Sequence, residues 1–171
     1  MTLSAPEPLN DAHDLSDFDC GKAVLNDWLR TRALSNQQKG FTAVMVVQQA
    51  GRVAGYYGLA PTAVAPAIAP RKVRTGQPPD PIPCLLLGQL ATDIAWAGQG
   101  VGTGLLKHAL QRCVAAAGLI GGRALLVRAV DADAAEWWRR RGFAPSPGDP
   151  YLLFRSMQDV AESVRAASQR V

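Results

Sequence analysis

The chain has 171 residues, 48% of them apolar, with a formal charge of +4 at neutral pH. That length suits one domain, residues 1–171, with enough apolar content to bury a single core. No apolar run reaches the roughly 18 residues that span a bilayer, and Met1-Thr2-Leu3-Ser4-Ala5-Pro6-Glu7 has neither the basic start nor the apolar stretch of a signal peptide, so a cytoplasmic protein without membrane attachment is expected.

Asp17 or Asp19 can cap a first helix, in which Val24, Leu25, Trp28 and Leu29 recur at helical spacing and Gly40 sets the end. Two strands follow, Phe41 to Gln48 and Val53 to Leu59, joined by a hairpin turn at Ala50-Gly51-Arg52. Pro66 to Pro83 is rich in proline and reads as an irregular surface loop carrying Arg71, Lys72 and Arg74. Cys84 to Ile94 is apolar for most of its length, as a central strand covered on both faces would be.

A glycine segment comes next, followed by a helical stripe of Leu105, Leu106, Ala109, Leu110, Cys113, Val114 and Ala117 that Gly118, Gly121 and Gly122 close. Arg123 to Ala129 is a further strand. Asp131 or Asp133 caps a short helix to about Arg141, which Gly142 ends. Tyr151 to Phe154 is a late strand, and Met157 to Gln169 a terminal helix with Ser156 as its N-cap. Antiparallel strands followed by strand–helix alternation predict an α/β fold around one mixed sheet.

Charge and cysteine narrow the chemistry. Residues 1–27 carry Glu7, Asp11, Asp14, Asp17, Asp19 and Asp27 against Lys22 alone, and the remainder is basic. That balance suits an anionic partner, whether a nucleotide, an RNA or both. Arg71, Lys72 and Arg74, and then Arg139 and Arg140 beside Arg141, are the candidate phosphate contacts, although such a helix face can equally be merely solvated. Cys20, Cys84 and Cys113 are widely spaced and odd in number, which implies neither a metal site nor a disulfide framework. His108 falls within a helix, where a position beside solvent is expected.

Gly98, Gly100, Gly102 and Gly104 lie between the buried strand and the amphipathic helix. Glycine lets the backbone turn tightly and approach a ligand, and the first turn of a helix offers unpartnered N–H groups and the positive end of its dipole to a phosphate. A Rossmann fingerprint fails in both registers, since the sixth position is Thr103 from Gly98 and Leu105 from Gly100, and the Lys-Ser/Thr end of a P-loop is absent. A glycine turn without a ligand has the same composition.

Gly100-Val101-Gly102-Thr103-Gly104-Leu105-Leu106, after a strand ending Leu90-Ala91-Thr92-Asp93, resembles the acetyl-CoA site of the GNAT superfamily, whose usual pattern is Arg/Gln-x-x-Gly-x-Gly/Ala. Here that pattern reads Ala97-Gly98-Gln99-Gly100-Val101-Gly102, departing at Ala97. The resemblance spans nearly the whole chain and is to the tRNA-acetylating GNAT toxins of type II toxin–antitoxin pairs in particular. It rests on Asp19-Cys20-Gly21 with Leu25, Trp28, Leu29 and Ala33, on Pro79-Asp80-Pro81-Ile82-Pro83, on Leu87 to Asp93 with Gln89 where Arg is usual, and on Gly142-Phe143 through Pro150.

The resemblance implies a GNAT fold, with antiparallel N-terminal strands and a splayed pair of parallel strands. It implies acetyl-CoA as co-substrate, bound by the backbone of Leu90, Ala91 and Thr92 and by Gln99, Gly100, Val101, Gly102, Thr103 and Gly104, with no metal. It implies direct attack by an amine, the α-amine of an aminoacyl-tRNA, together with a ribbon–helix–helix antitoxin and a homodimer. Acetylation of a small amine or a protein, or a weakly catalytic binding module, are the alternatives. The family's Tyr, four residues before Gly-Phe, protonates the departing thiolate, and here that position holds Trp138. Three readings of Trp138 stand open: it packs while water supplies the proton, Tyr151 or Tyr57 takes over the role, or the enzyme is weak or inactive.

Overall fold

The computed structural model describes residues 2–170 and divides into two compact units. One comprises residues up to 60 with Gly88–Ala109, the other Pro61–Leu87 with residues from 110 onward. Among the described residues seven strands, counted along the chain, are hydrogen-bonded in the order first, second, third, fourth, fifth, seventh, sixth, a mixed sheet of the expected class. Among the described residues, no helix is long and apolar enough to cross a membrane.

In the first unit, β2 (Ala43–Gln49) and β3 (Arg52–Val64) form the expected hairpin. Ala50 and Gly51 take φ of 52° and 82°, the left-handed pair that matches a two-residue turn to strand twist. β1 (Glu7–Pro8) adds antiparallel to β2, an edge too short to leave a periodic signal in the sequence. Tyr56 is fully buried, stacked on Trp28 at 5.9 Å and met edge-on by Phe18 at 5.6 Å, and its hydroxyl donates to the Leu25 carbonyl.

The first helical region departs from expectation. It is α1 (Ala23–Trp28), a π-helical turn (Leu29–Ala33) and α2 (Leu34–Gln38). Neither Asp17 nor Asp19 caps it. Lys22 is the N-cap and makes no side-chain cap bond, because the turn at Gly21, with φ of 85°, carries Asp19 away from the first-turn N–H groups. Asp19 instead accepts from Gly21 N and Asn26 Nδ2, and Asn26 Oδ1 accepts from Cys20 N. Asn26, Leu29 and Ala33 therefore face inward, whereas Val24 is 70% exposed.

β4 (Ile82–Thr92) contributes its first half to the second unit and its second half to the first. In the second unit β4 pairs parallel with β5 (Ala124–Arg128) through Leu85–Leu125, Leu86–Leu126 and Leu87–Val127, and β5 pairs antiparallel with β7 (Asp149–Ser156). β6 (Ala144–Ser146) flanks β7. Residues 66–83 are more ordered than a surface loop. Pro66–Ile68 forms a 3-10 turn and Arg71–Arg74 the helical turn α3, with Ala69, Val73 and Ile82 buried. Pro66 starts the first of these and Pro70 caps the second, positions at which a missing N–H and a fixed φ help a helix begin.

α5 (Ala132–Arg139) and α6 (Met157–Ser168) carry the expected caps: Asp131 accepts from Ala134 N at 2.9 Å, and Ser156 from Asp159 N at 3.1 Å. Replacing either by Ala, in Asp131→Ala or Ser156→Ala, is expected to destabilise the protein by about 0.5–2 kcal/mol, read from urea unfolding midpoints.

Candidate functional site

β4 continues from Gly88 to Thr92 beyond its last paired residue in β5, Leu87. Asp93 then starts a 3-10 turn (Ile94–Trp96), accepting from Ala95 N at 2.8 Å and, through its second oxygen, from Asp19 N at 3.0 Å. Thus the end of the strand is tied to the Asp19 turn. Gly98 and Gly100 follow with φ of 74° and 80°, values that favour glycine. α4 (Val101–Ile120) begins at once, with its first turn bond from Gly104 N to the Gly100 carbonyl at 2.9 Å.

That hydrogen bond makes Gly100 the N-cap, so the N–H groups of Val101, Gly102 and Thr103 precede the helical ladder. Gly100 has no side chain with which to cap them, and no acidic side chain sits in the first turn. Gln99, Gly100, Thr103 and Gly104 are exposed, and a Cβ placed at Gly98, Gly100 or Gly104 would meet open space. The geometry is an open, donor-lined helix end, and it fits a diphosphate in size of approach and in charge. Leu90, Ala91 and Thr92 lie on the β4 extension in this same unit, with Ala91 buried.

The helix end is set by a feature that periodicity in the sequence does not single out. A Cβ built at Gly55 would lie 2.9 Å from Leu105 Cδ1, 3.2 Å from the Ala91 carbonyl oxygen and 3.3 Å from Val101 Cγ1. β3 thus carries glycine where α4 and β4 come closest. An isolated glycine inside a strand pattern is itself a sign of close backbone approach, and this is the signal that could have found it. Two residues along β3, Tyr57 is fully buried, and its hydroxyl lies 2.6 Å from His108 Nδ1. His108 is therefore half-buried against β3 rather than beside solvent, because Leu105 and His108 share the face of α4 that meets this strand. Gln89, where Arg is usual in the resemblance, packs over Gly58, with Oε1 2.7 Å from the place a Cβ would occupy.

The remaining candidates belong to the second unit. Trp138 is 6% exposed and packs edge-on against Trp137 at 4.8 Å and Phe143 at 5.1 Å. Arg141 stacks 3.5 Å above the Trp137 ring and donates to the Trp137 carbonyl. Tyr151 is 41% exposed on β7.

The basic residues fall into two groups. Arg139 and Arg140 both bond Glu136, whose carboxyl they hold below its ordinary range, and Lys72 bonds both oxygens of Asp159 at 2.7 Å. Arg71 and Arg74 are exposed and engage no side-chain partner among the described residues. Burial raises the thiol pKa of Cys20 and Cys84 and pushes Cys113 up to about 12, far from the range of a nucleophilic thiolate.

The sequence model of the acetyltransferase (GNAT) family matches residues 9–143. A protein named tRNA-acetylating toxin, from Mycobacterium tuberculosis (strain ATCC 25618 / H37Rv), is 44% identical over 156 residues, covering 91% of this chain and 93% of that one. Among solved structures, AtaT complexed with acetyl-methionyl-tRNAfMet matches with a TM-score of 0.84 at 28% identity, covering 95% of this chain and 99% of that one. A Tyr-to-Phe variant of the AtaT toxin bound to the C-terminus of the antitoxin AtaR and acetyl-CoA matches with a TM-score of 0.80 at 28% identity, covering 95% and 98%.

The glycines have separable roles that unfolding measurements should resolve. Gly104→Ala is expected to stabilise the helix by up to about 1 kcal/mol. Gly100→Ala should destabilise by about 1–2 kcal/mol through its left-handed backbone, and Gly55→Ala by about 1–3 kcal/mol through overpacking.

Proposed function

Because the chain belongs to the acetyltransferase (GNAT) family, we propose that it transfers the acetyl group of acetyl-CoA to the α-amine of an aminoacyl-tRNA and thereby blocks translation. The observation that carries this reading is the open helix end at Gly100–Thr103, in a chain 44% identical to a tRNA-acetylating toxin. The whole of residues 1–171 serves as one acetyltransferase domain, a view supported by the family match over residues 9–143, which draws on both units.

Acetyl-CoA supplies an acetyl group already activated as a thioester. The N–H groups of Val101, Gly102 and Thr103, with the dipole of α4 behind them, receive the diphosphate, and Gln99, Gly100 and Gly104 keep the approach free of bulk. The backbone of Leu90, Ala91 and Thr92 holds the arm, and an N–H from this stretch stabilises the oxyanion that forms as the amine attacks. An α-amine has a pKa near 7.7–8.0, so a useful fraction is neutral at pH 7 and a weak base or a water path suffices.

The departing thiolate needs a proton less urgently than an alkoxide would, since a thiol pKa is about 8.5. Trp138 occupies the chain position of the family's acidic Tyr. Its indole N–H donates hydrogen bonds but does not release a proton, so water supplies the proton to sulfur. Tyr57, whose hydroxyl lies 2.6 Å from His108 Nδ1, and Tyr151 are the other candidate acids. Arg71 and Arg74, with Arg139 and Arg140, supply the basic surface for the RNA, and Lys72 beside them is committed to Asp159. A ribbon–helix–helix antitoxin, a homodimeric state and a cytoplasmic setting complete the reading. The antitoxin is favoured by the AtaT–AtaR complex among the structural matches.

Incubation with charged tRNA and labelled acetyl-CoA tests the proposal. Label on the aminoacyl group is expected. Label confined to free amines or proteins would point to a different acceptor, and acetyl-CoA binding without any transfer to a non-catalytic role.

Trp138→Tyr is expected to match or exceed the native rate, and loss of acetyl-CoA binding in that variant would sink the idea of a vacated acid position. Tyr151→Phe should leave the rate unchanged; a fall of about 10²–10⁴-fold would instead give Tyr151 the acid role.

A further inference from the structure

A helical turn of four residues does not sustain itself, because nucleation fixes several dihedrals for a single hydrogen bond. α3 is held from outside, by contacts within the second unit. Val73 is 2% exposed and packs into the cluster of Ala69, Ile82, Cys84, Ala124 and Phe154. Arg123, at the foot of β5, donates from Nε to the Val73 carbonyl at 3.0 Å and from Nη2 to the Thr75 carbonyl at 2.9 Å and the Lys72 carbonyl at 3.4 Å. The backbone of Arg123 is fixed in turn, its N–H donating to the Pro83 carbonyl and its own carbonyl accepting from Met157 N. Lys72 spends its ammonium on Asp159, whose carboxyl is held below its ordinary range by that hydrogen bond first of all.

Three of the four residues of α3 are cations, and two of those remain. Arg71 and Arg74 are exposed, three positions apart and therefore on one side of the turn. A guanidinium is always charged and matches phosphate with its planar fork. Arg139 and Arg140 differ from this pair because both already share the Glu136 carboxylate.

We propose that Arg71 and Arg74 form a two-arginine contact for the phosphodiester backbone of the RNA acceptor, that Arg123 is the positioning residue that sets them, and that Lys72 is an internal strut. This rests on the reading that the acceptor is an RNA, and it divides a basic segment whose residues the sequence leaves equivalent. Arg123 acts through the α3 backbone: a lysine there keeps the charge but does not span three carbonyls.

The test is the affinity of the intact protein for deacylated tRNA as salt is raised from about 50 to 200 mM, the range over which phosphate contacts are read. Each lost phosphate contact lowers the log–log slope by about 0.7–0.9. Arg71→Gln with Arg74→Gln should therefore reduce it by about 1.4–1.8, with acetyl-CoA affinity unchanged. Lys72→Gln should leave the slope as it is. Arg123→Gln and Arg123→Lys should each lower it in the native background and add nothing once Arg71 and Arg74 are replaced, which is the coupling expected of a residue acting through another. An unchanged slope in the exposed double variant, which has no folding role, would overturn the proposal. So would an additive loss from Arg123→Gln, which would make Arg123 a direct contact. A native protein that does not bind tRNA at all would overturn the RNA reading itself, a result distinct from either.

Discussion

The contact between α4 and the strands beneath its first turns fixes the helix end that is the candidate cofactor site. Leu105 and Val101 reach the β3 backbone where Gly55 presents no side chain, and the Ala91 carbonyl of β4 lies against the same spot. A helix that rests this closely on a sheet has its N-terminus fixed in place and direction, and a fixed terminus makes a dipole useful to a ligand. The left-handed turns at Gly98 and Gly100 then bring the chain from the end of β4 into that helix without a side chain over its opening. Gly55 thus acts on the site through packing, while Gly98 and Gly100 act through backbone conformation.

Charge in the second unit is organised by internal pairing. Its arginines and lysines read alike along the chain, yet most are engaged within the protein. Lys72 and Asp159 tie α3 to α6, Glu136 neutralises part of Arg139 and Arg140, Arg141 lies over Trp137, and Arg123 is occupied by backbone carbonyls. Exposed ion pairs of this kind contribute little to stability. They do, however, decide which cations face solvent with their charge uncommitted, and so where a polyanion meets the surface.

The Trp137–Trp138–Phe143 cluster shows how packing fixes a side chain whatever polar group it carries. Trp138 fills a buried site with two edge-on aromatic contacts. Packing and polarity are separate demands at such a site, and indole meets the first while giving up proton donation.

The amino-acid sequence alone determined the order of the longer elements, the hairpin at Ala50-Gly51, the cap at Ser156 and the choice of Asp131 or Asp133 for α5, the glycine turn before α4 and the family to which they belong. Each is written in local chemistry: a turn needs left-handed residues, a cap a short polar side chain, and a helix end a glycine. Only the tertiary structure decided that Asn26 rather than an aspartate clasps the start of the first helix, that prolines 66 and 70 begin helical turns rather than prevent them, and that His108 faces Tyr57. The same holds for the close approach at Gly55 and for the separation of Lys72 from Arg71 and Arg74. These depend on partners such as Asp159, Arg123 and Leu105, which lie 50 or more residues away for the pairs Gly55–Leu105, Val73–Arg123 and Lys72–Asp159. No local pattern encodes which distant side chain will arrive.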